Sequence, residues 1–347
     1  MPLLPNPSER WNIRAGRTPG LLLDVRMAPH QFLAVIGAAE VGLFDALRDG
    51  PADAASLAKA TDSSPVGIEV LAKVLVALGY LDEEDGRYAL TEVSAKTLPI
   101  DELPAMAAFL KEGVRQSLDI ARVVKENPPG GVLGWGAIRS GEMALGYHAL
   151  MRWLASSVVD EVARRATFPR AARRLLDVGG AHGLYTMALC RKYPLLQGAV
   201  FDLPAGLASA KQTLPLNSDV SDRIELVQGD FNQDELPEGQ DVVFLANIVH
   251  GQTAENNADL FQKIGRATTR RGMVLILEQV PDVPQTQLGK GIAAIFGLML
   301  YLFSSGQAYP YERLTGWLED AGFGDIKRQE LRVAPGFSLV SARKRPR

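Results

Sequence analysis

The amino-acid sequence predicts an α/β protein in which a mostly helical amino-terminal domain is followed by a doubly wound, mainly parallel sheet. Up to about residue 167, apolar residues recur at the three- and four-residue spacing of amphipathic helices. From about residue 170, short apolar segments alternate with helical ones, which is typical of parallel strands joined by crossover helices. Because 347 residues exceed the usual size of one core, we expect two domains, at 1–167 and 168–347.

The first domain is predicted to contain a winged-helix arrangement. Segment 81–91, LDEEDGRYALT, predicts a hairpin around Asp85–Gly86, since Asp-Gly favours a tight turn. It follows three predicted helices, the first of which ends at Gly50 as its C-cap. Residues 127–131, NPPGG, predict a loop. The predicted helices of this domain lie at 31–50, 53–60, 64–81 and 146–166.

The second domain is predicted to end in an antiparallel pair of strands around Pro335–Gly336. The parallel strands predicted before that pair lie at 173–179, 198–204, 223–230, 241–249 and 272–280, with helices at 184–193 and 256–270. In this type of sheet the fourth strand adjoins the first, and ligands bind in the crevice at the carboxyl ends of the strands. Functional residues are therefore expected at these strand ends.

Charge and composition argue against a nucleic-acid partner. The chain has 37 Lys and Arg against 40 Asp and Glu, so its net charge is −3 and it has no general excess of positive charge. A winged helix raises the alternative of a DNA-binding regulator. The helix that would enter the groove, at 64–78, has Lys73 as its only basic residue, whereas a reading helix presents Arg, Lys, Asn or Gln to the DNA. We expect no nucleic-acid partner.

Other features predict a cytoplasmic protein with no membrane partner. The longest apolar run, 291–303, is shorter than the roughly 20 residues that cross a bilayer. The amino-terminal residues have prolines and charges in place of the apolar core of a signal peptide. Cys190 is the only cysteine, so no intrachain disulfide can form, and we expect it to pack inside a helix.

The glycine-rich stretch LLDVGGAHGLYT, at 175–186, follows the first predicted strand and opens a helix. The dinucleotide fingerprint would need glycines at 179, 181 and 184, but Ala181 and Leu184 occupy two of those positions. The alternative frame is an acid, Asp177, followed by Gly179 and Gly183, with Gly180 between them. This is the pattern of the nucleoside-binding turn in enzymes that use S-adenosylmethionine (SAM). A tight turn without a ligand is the third interpretation.

Two further strand ends favour the SAM interpretation. Asp202 ends the second strand, 25 residues after Asp177, where a carboxylate can accept hydrogen bonds from ribose hydroxyls. Asp230 and Phe231 end the third strand and offer an acceptor for the adenine amino group and a ring to stack on the base. Each acid alone could be a helix cap, but three at consecutive strand ends predict a SAM site.

Five stretches in order resemble the caffeate/hydroxyindole-type O-methyltransferases, including bacterial enzymes of aromatic metabolite pathways. They are LLDVGGAHG, VFDLP, GDF, DVVFLANIVHGQ and GMVLILEQV. The resemblance covers nearly the whole chain. It implies a class I methyltransferase fold, which is a Rossmann-like doubly wound sheet, and a winged-helix domain that forms a homodimer. It also implies methyl transfer from SAM to a hydroxyl of a small aromatic metabolite. We further expect Leu203 and Asn247 to contact the cofactor.

His250 is the candidate general base, because it ends the fourth strand beside the glycine turn and imidazole titrates near neutral pH. The alternative is a capping or packing histidine. In the resembling family the histidine at this position removes the acceptor proton, and a glutamate matching Glu278 orients it. The family usually has a third glycine at Ala181, a second glutamate at Ala308 and, in plant enzymes, a lysine at Ala246. A methyl at Ala181 is expected to be tolerated if its backbone angles suit a non-glycine residue.

The resemblance places the acceptor pocket on two helices. The expected contacts are Tyr147, Met151, Met299 and Phe303, for each of which plain helix core is the alternative. His30, His148 and His182 show no metal-ligand spacing, so we expect no metal ion. The departure at Ala308 leaves carbon or nitrogen methylation, or a non-methylating reaction, as alternatives to methylation on oxygen.

Overall fold

The computed structural model describes residues 7–17, 20–126, 141–283, 286–303 and 306–346. The chain divides into two compact units, 1–111 and 112–347. The boundary predicted at 167–168 lies inside the second unit, because the helix before it contributes Ala155 and Val162 to a core shared with Leu175 of the sheet. The loop predicted at 127–131 lies outside the described residues.

The first unit combines helices with a small antiparallel sheet. Its elements are α1 (Pro7–Arg14), α2 (Gly20–Glu40), α3 (Leu43–Ala46), β1 (Ala52–Asp53), α4 (Ala54–Ala60), α5 (Pro65–Ala77), β2 (Leu81–Glu84), β3 (Arg87–Leu90) and α6 (Glu92–Thr97). The hairpin is confirmed, since β2 and β3 pair antiparallel around Asp85 and Gly86, which both have positive φ. The single helix predicted at 31–50 is wrong: Gly42 has a left-handed φ of 74° and separates α2 from α3.

The second unit contains the larger sheet and its covering helices. α7 (Leu103–Ser117) continues into it from the first unit. The other elements are α8 (Ile120–Glu126), α9 (Gly141–Arg165), β4 (Arg174–Val178), α10 (Leu184–Lys192), β5 (Gln197–Asp202), α11 (Pro204–Thr213), β6 (Ile224–Gln228), β7 (Gln240–Ala246), α12 (Ala254–Ala267), β8 (Thr268–Gln279), α13 (Gln287–Phe303), α14 (Tyr311–Asp320), β9 (Phe323–Glu330) and β10 (Phe337–Lys344).

The sheet of the second unit has seven strands in the order β6-β5-β4-β7-β8-β10-β9. Its first five strands pair in parallel, and β10 pairs antiparallel with both β8 and β9, as predicted for the last pair. The helix predicted at 256–270 ends at Ala267, because Thr268 already pairs with Gln240. The chain reverses its winding between β4 and β7, which is where open sheets bind ligands.

Helices cover both faces of this sheet. On one face, Leu260 of α12 and Leu314 of α14 pack against the strands. On the other face, Ala155 of α9 and Leu189 of α10 do so, and Cys190 is buried beside Leu189, as expected. Among the described helices, none is both long and apolar enough to cross a membrane.

Candidate active site

A cavity of about 350 Å³ lies at the carboxyl ends of β4, β5 and β7. The winding of the sheet reverses there, so the turns that follow these strands lie around the same cavity although they are far apart in the chain. The predicted residues that line it are Tyr147, Met151, Gly179, Gly180, Asp202, Leu203, Asp230, Phe231 and Asn247. The structure therefore brings together most of the predicted cofactor residues and two of the predicted acceptor residues.

The glycine turn has the backbone conformations that glycine favours. Gly179 and Gly183 both have a φ of 70°. A Cβ at Gly179 would lie 2.3 Å from Cδ1 of Ile248, so a side chain there would collide with another wall of the cavity. Ala181 has a φ of 37°, which is left-handed. Its backbone angles thus do not suit a non-glycine residue, and the methyl group is accommodated with strain.

Asp177 lies beneath this turn and does not line the cavity. Its side chain is fully buried, and Oδ2 accepts a hydrogen bond from Oγ1 of Thr186 at 2.6 Å. A Cβ at Gly180 would lie 2.5 Å from the Asp177 carboxyl carbon, which explains the second glycine. Burial raises the pKa of Asp177 to about 7. Asp177 therefore supports the turn and does not contact the cavity. Gly183 precedes the first residue of α10 and does not line the cavity either.

Asp202 ties the end of β5 to the glycine turn. Its Oδ2 accepts a hydrogen bond from the Ala181 N–H at 2.8 Å, and Oδ1 accepts one from the Leu203 N–H at 2.7 Å. The carboxylate also lines the cavity, and burial raises its pKa to about 6. A carboxylate oxygen has a second lone pair, so both oxygens retain capacity for a ligand hydroxyl.

The turn after β6 presents Asp230 and Phe231 to the cavity. Asp230 accepts hydrogen bonds from Asn232 N–H at 3.0 Å and from Gln233 Nε2 at 3.1 Å. Lys263 of α12 is buried and donates a hydrogen bond to the Phe231 carbonyl at 3.0 Å. Sequence reasoning missed Lys263, because a lysine inside an amphipathic helix carries no local sign of such a contact.

Two histidines that have no metal-ligand spacing in the sequence also line the cavity. They are His148 of α9, next to Tyr147, and His182 in the glycine turn. Nδ1 of His182 accepts a hydrogen bond from the Leu184 N–H at 3.1 Å, and burial lowers the pKa of His182 to about 3, aided by the charge of Arg152. Burial likewise lowers the pKa of His148. Both rings are thus neutral at pH 7.

His250 and Glu278 form a buried pair at the neighbouring ends of β7 and β8. Nδ1 of His250 lies 2.5 Å from Oε1 of Glu278, and the His250 N–H donates to Oε2 at 3.2 Å. His250 is in a short 3-10 turn, Val249–Gly251, of which Gly251 lines the cavity. The ring of Phe296 on α13 meets the imidazole edge to face at 4.8 Å. Sequence reasoning missed Phe296.

The other two acceptor residues do not reach this cavity. Met299 lies on the outer face of α13 and is 46% exposed. Phe303 lies at the end of α13, where its ring is 3.7 Å from the position of a Cβ on Gly113. Ala246 lines the cavity, and Ala308 is half-buried in the loop that follows α13. Within the described residues, no group of three or more His, Cys, Asp or Glu is arranged to hold a metal ion.

Comparison with known families defines the class of protein. Residues 130–324 match the O-methyltransferase domain family, and residues 33–99 match the O-methyltransferase dimerisation domain. The chain therefore belongs to the O-methyltransferase family and is a SAM-dependent methyltransferase. This finding confirms the resemblance described above.

Known relatives extend over most of the chain. It is 28% identical to the 3-hydroxy-5-methyl-1-naphthoate 3-O-methyltransferase of Streptomyces sahachiroi, over 93% of this chain and 94% of the relative. It is 27% identical to the N,N-dimethyltransferase OxyT of Streptomyces rimosus, over 87% and 90%. The crystal structure of human N-acetylserotonin methyltransferase in complex with SAM matches with a TM-score of 0.80 at 23% identity, covering 99% of this chain and 100% of that one. The fold is thus that of class I methyltransferases.

Proposed function

We propose that this enzyme transfers a methyl group from SAM to a hydroxyl of a small aromatic metabolite, with His250 as the general base. The observation that carries the proposal is the buried His250–Glu278 pair. Neither side chain lines the cavity, but the neighbours Ile248, Gly251 and Gln252 of the same turn do. Because Glu278 contacts Nδ1, it fixes the tautomer that leaves Nε2 as the basic atom. We assign Nε2 to the acceptor hydroxyl.

The residues around the cavity fit SAM. The close approach of Gly179 and Gly180 to their neighbours leaves a cradle without side chains beside the space where the methionine part would lie. Asp202 would bind the ribose hydroxyls, and Asp230 and Phe231 the base. Arg152 follows Met151 of the cavity wall on α9 and donates a hydrogen bond to Oγ of Ser209 at 2.7 Å. Its positive charge near the cavity would attract the amino-acid carboxylate. SAM supplies an electrophilic methyl group on a sulfonium.

The chemical role of the protein is then to hold the acceptor and move one proton. As the acceptor oxygen bonds to the methyl carbon and the carbon–sulfur bond breaks, the hydroxyl proton passes to Nε2 of His250. The Glu278 carboxylate stabilises the imidazolium that forms, and Phe296 keeps one side of the ring away from water. Alignment and proton removal together account for the rate, so the proposal assigns no step to a metal ion.

The test is methylation of a panel of catechol, caffeate, 2-naphthol, 3-hydroxy-2-naphthoate and N-acetylserotonin, with products identified by mass spectrometry and NMR. We expect one added methyl on oxygen. His250→Ala should lower turnover by roughly 10²–10⁴, the usual contribution of a positioned base, with little change in affinity for S-adenosylhomocysteine. Glu278→Gln should lower turnover less, since the base remains. Near wild-type turnover by His250→Ala at pH 7 would show that the proton leaves by another route.

Methylation on nitrogen is the second candidate. It is favoured by the relative named as an N,N-dimethyltransferase and by Ala308, where the resembling enzymes have a second glutamate for the histidine. The same panel extended with 4-aminophenol separates the two, because NMR distinguishes a methoxy group from an N-methyl group. Exclusive N-methylation would replace our first proposal.

We also propose a homodimer formed through the first unit. The match to the dimerisation domain supports it, as do the exposed valines of α5, which recur every four residues at Val66, Val70 and Val74. Light scattering should return twice the 37.5 kDa of one chain at micromolar concentration. A mass of one chain would contradict the proposal.

A further inference from the structure

The turn that carries His250 is held by hydrogen bonds to its own backbone carbonyls. The Val249 carbonyl accepts from Nδ2 of Asn257 at 2.9 Å. The Gln252 carbonyl accepts from the hydroxyl of Tyr309 at 2.7 Å. Asn257 is fully buried and Tyr309 is 6% exposed, so water does not compete for either bond. Asn257 and Tyr309 thus hold the turn by one hydrogen bond before the histidine and one after it in sequence.

Two further contacts complete this arrangement. Oε2 of Glu278 accepts from the His250 N–H, so the same carboxylate holds both the ring and the backbone of the base. Gly306 packs so closely that a Cβ there would lie 1.8 Å from the His250 carbonyl oxygen. The turn is therefore contacted by α12, by β8 and by the loop after α13, and none of these segments is adjacent to it in sequence except α12.

The hydroxyl of Tyr309 is itself fixed by an aromatic cluster. Its ring meets Trp317 edge to face at 4.8 Å, and Trp317 stacks on Phe261 at 5.7 Å. Burial raises the pKa of the Tyr309 phenol, so it remains protonated and can donate its hydrogen bond at neutral and mildly alkaline pH. The bond to Gln252 is therefore present under assay conditions.

The contacts to the turn of His250 bear on Ala308, which stands where the resembling family has a second glutamate. In the resembling enzymes a second glutamate at that position holds the histidine, whereas this chain has Ala308 and its neighbour Tyr309 reaches the turn instead. We propose that Asn257 and Tyr309 are positioning residues that orient His250 through the backbone of its turn, and so replace the missing carboxylate. The inference rests on the proposed role of His250 as the general base.

The inference predicts that the loss of turnover depends on whether the acceptor is neutral or ionised. A misplaced base slows the reaction only when a proton has to be removed, so an acceptor that is already ionised should be insensitive to the loss of a positioning residue. A displacement of about 1 Å can lower a rate roughly 10²-fold. A general loss of folding or of cofactor binding would instead lower the rate by the same factor for neutral and for ionised acceptors.

The experiment compares Tyr309→Phe with wild type on the phenol of the panel that wild type methylates fastest. Turnover is measured at saturating SAM and pH 7, first with that phenol and then with a nitro-substituted analogue that is ionised at this pH. Tyr309→Phe keeps the ring packed on Trp317 and removes only the hydroxyl. We expect a 10- to 100-fold loss with the neutral phenol, less than about twofold with the phenolate, and unchanged affinity for S-adenosylhomocysteine.

Three further variants make the outcome decisive. Asn257→Ala should show the same pattern. Tyr311→Phe is the matched control, because among the described residues its hydroxyl makes no hydrogen bond to the turn. Equal losses with the neutral and the ionised acceptor, or no loss with the neutral phenol, overturn the inference. If His250→Ala also keeps full turnover with the neutral phenol, the general-base proposal fails. If only Tyr309→Phe and Asn257→Ala keep full turnover, the positioning inference fails and the general-base proposal stands.

Discussion

The two turns that border the cavity are held in different ways, although they follow the neighbouring strands β4 and β7. The turn after β4 is kept in shape mainly by its own residues: Gly179 and Gly183 have left-handed φ angles, and Gly180 leaves room for the Asp177 carboxyl. Asp202, from the neighbouring strand β5, supports it by accepting a hydrogen bond from the Ala181 N–H. The turn after β7 is held by side chains from elsewhere, namely Glu278, Asn257 and Tyr309.

We relate this difference to two proposed roles: the glycine turn binds a ligand, whereas His250 takes part in the reaction. The glycine turn has only to bring backbone close to a ligand, and its local conformation with one supporting carboxylate is enough for that. The histidine turn has to aim one nitrogen at an acceptor, and a ring at the end of a flexible side chain needs support from several directions. Substitutions in the first turn should therefore affect stability and cofactor affinity, and those around the second should affect turnover.

The largest effect is expected at Asp177, which supports the glycine turn. Its pKa in the folded state, about 7, lies above the ordinary value of 3.8, so the folded state binds this proton more tightly than the unfolded state. The stabilisation is complete below about pH 4 and is lost as pH rises through about 7, by up to about 4 kcal/mol. Urea unfolding at pH 5 and pH 8 should show that Asp177→Asn removes this loss and is more stable than wild type at pH 8. Parallel pH dependence in both proteins would contradict the assignment.

A methyl group at Gly306 should disturb the histidine turn. Gly306→Ala places a Cβ against the His250 carbonyl, and backbone cannot move aside as a flexible side chain does. We expect turnover to fall roughly 10²-fold with affinity for S-adenosylhomocysteine nearly unchanged. Gly297→Ala is the control, because outside the adjoining backbone of α13 no heavy atom of the described residues lies within 4 Å of its added Cβ. Equal activity in the two variants would show that the close packing does not position the base.

Substitution of Asp202, which holds the glycine turn, tests whether this part of the cavity binds the cofactor. Asp202→Asn should weaken S-adenosylhomocysteine binding by about 1–3 kcal/mol, or roughly 5- to 150-fold, because a charged acceptor is lost. The wild-type affinity should also fall as pH drops below about 6, where the Asp202 carboxylate becomes protonated. Calorimetry measures both effects, with Asp222→Asn, an exposed acid in the same unit, as the control. Unchanged affinity in a folded Asp202→Asn variant would remove Asp202 from the site.

The smallest effect is expected at Ala181. Its left-handed φ costs roughly 1–2 kcal/mol for a residue with a Cβ, and the greater freedom of glycine in the unfolded chain offsets part of that. Ala181→Gly should therefore raise the free energy of unfolding by about 0.5–1 kcal/mol. Ala208→Gly, on the exposed face of α11, should lower it by a similar amount, so thermal unfolding of the pair gives opposite signs. Destabilisation by both substitutions would mean that Ala181 is not strained.

The sequence predicts the parts of the site that depend on short segments. Asp202, Asp230 and Phe231 were expected at strand ends because an acid after an apolar run marks the edge of a parallel sheet, and all three line the cavity. The resemblance places Met299 and Phe303 in the acceptor pocket, on a helix whose apolar residues surround most of its circumference. Periodicity could not tell which of them faces the acceptor, and neither reaches the cavity.

The sequence by itself determined the glycine turn and the strand order that places β4 beside β7, because both follow from local pattern and from the geometry of parallel sheets. The pairing of His250 with Glu278 came from the family resemblance, and the structure places the two side chains in contact. Only the tertiary structure decided that Asp177 lies under the turn and that Asn257, Tyr309 and Gly306 hold the histidine. Those contacts join segments up to 57 residues apart, and a hydrogen bond to a backbone carbonyl leaves no trace in the residue that accepts it.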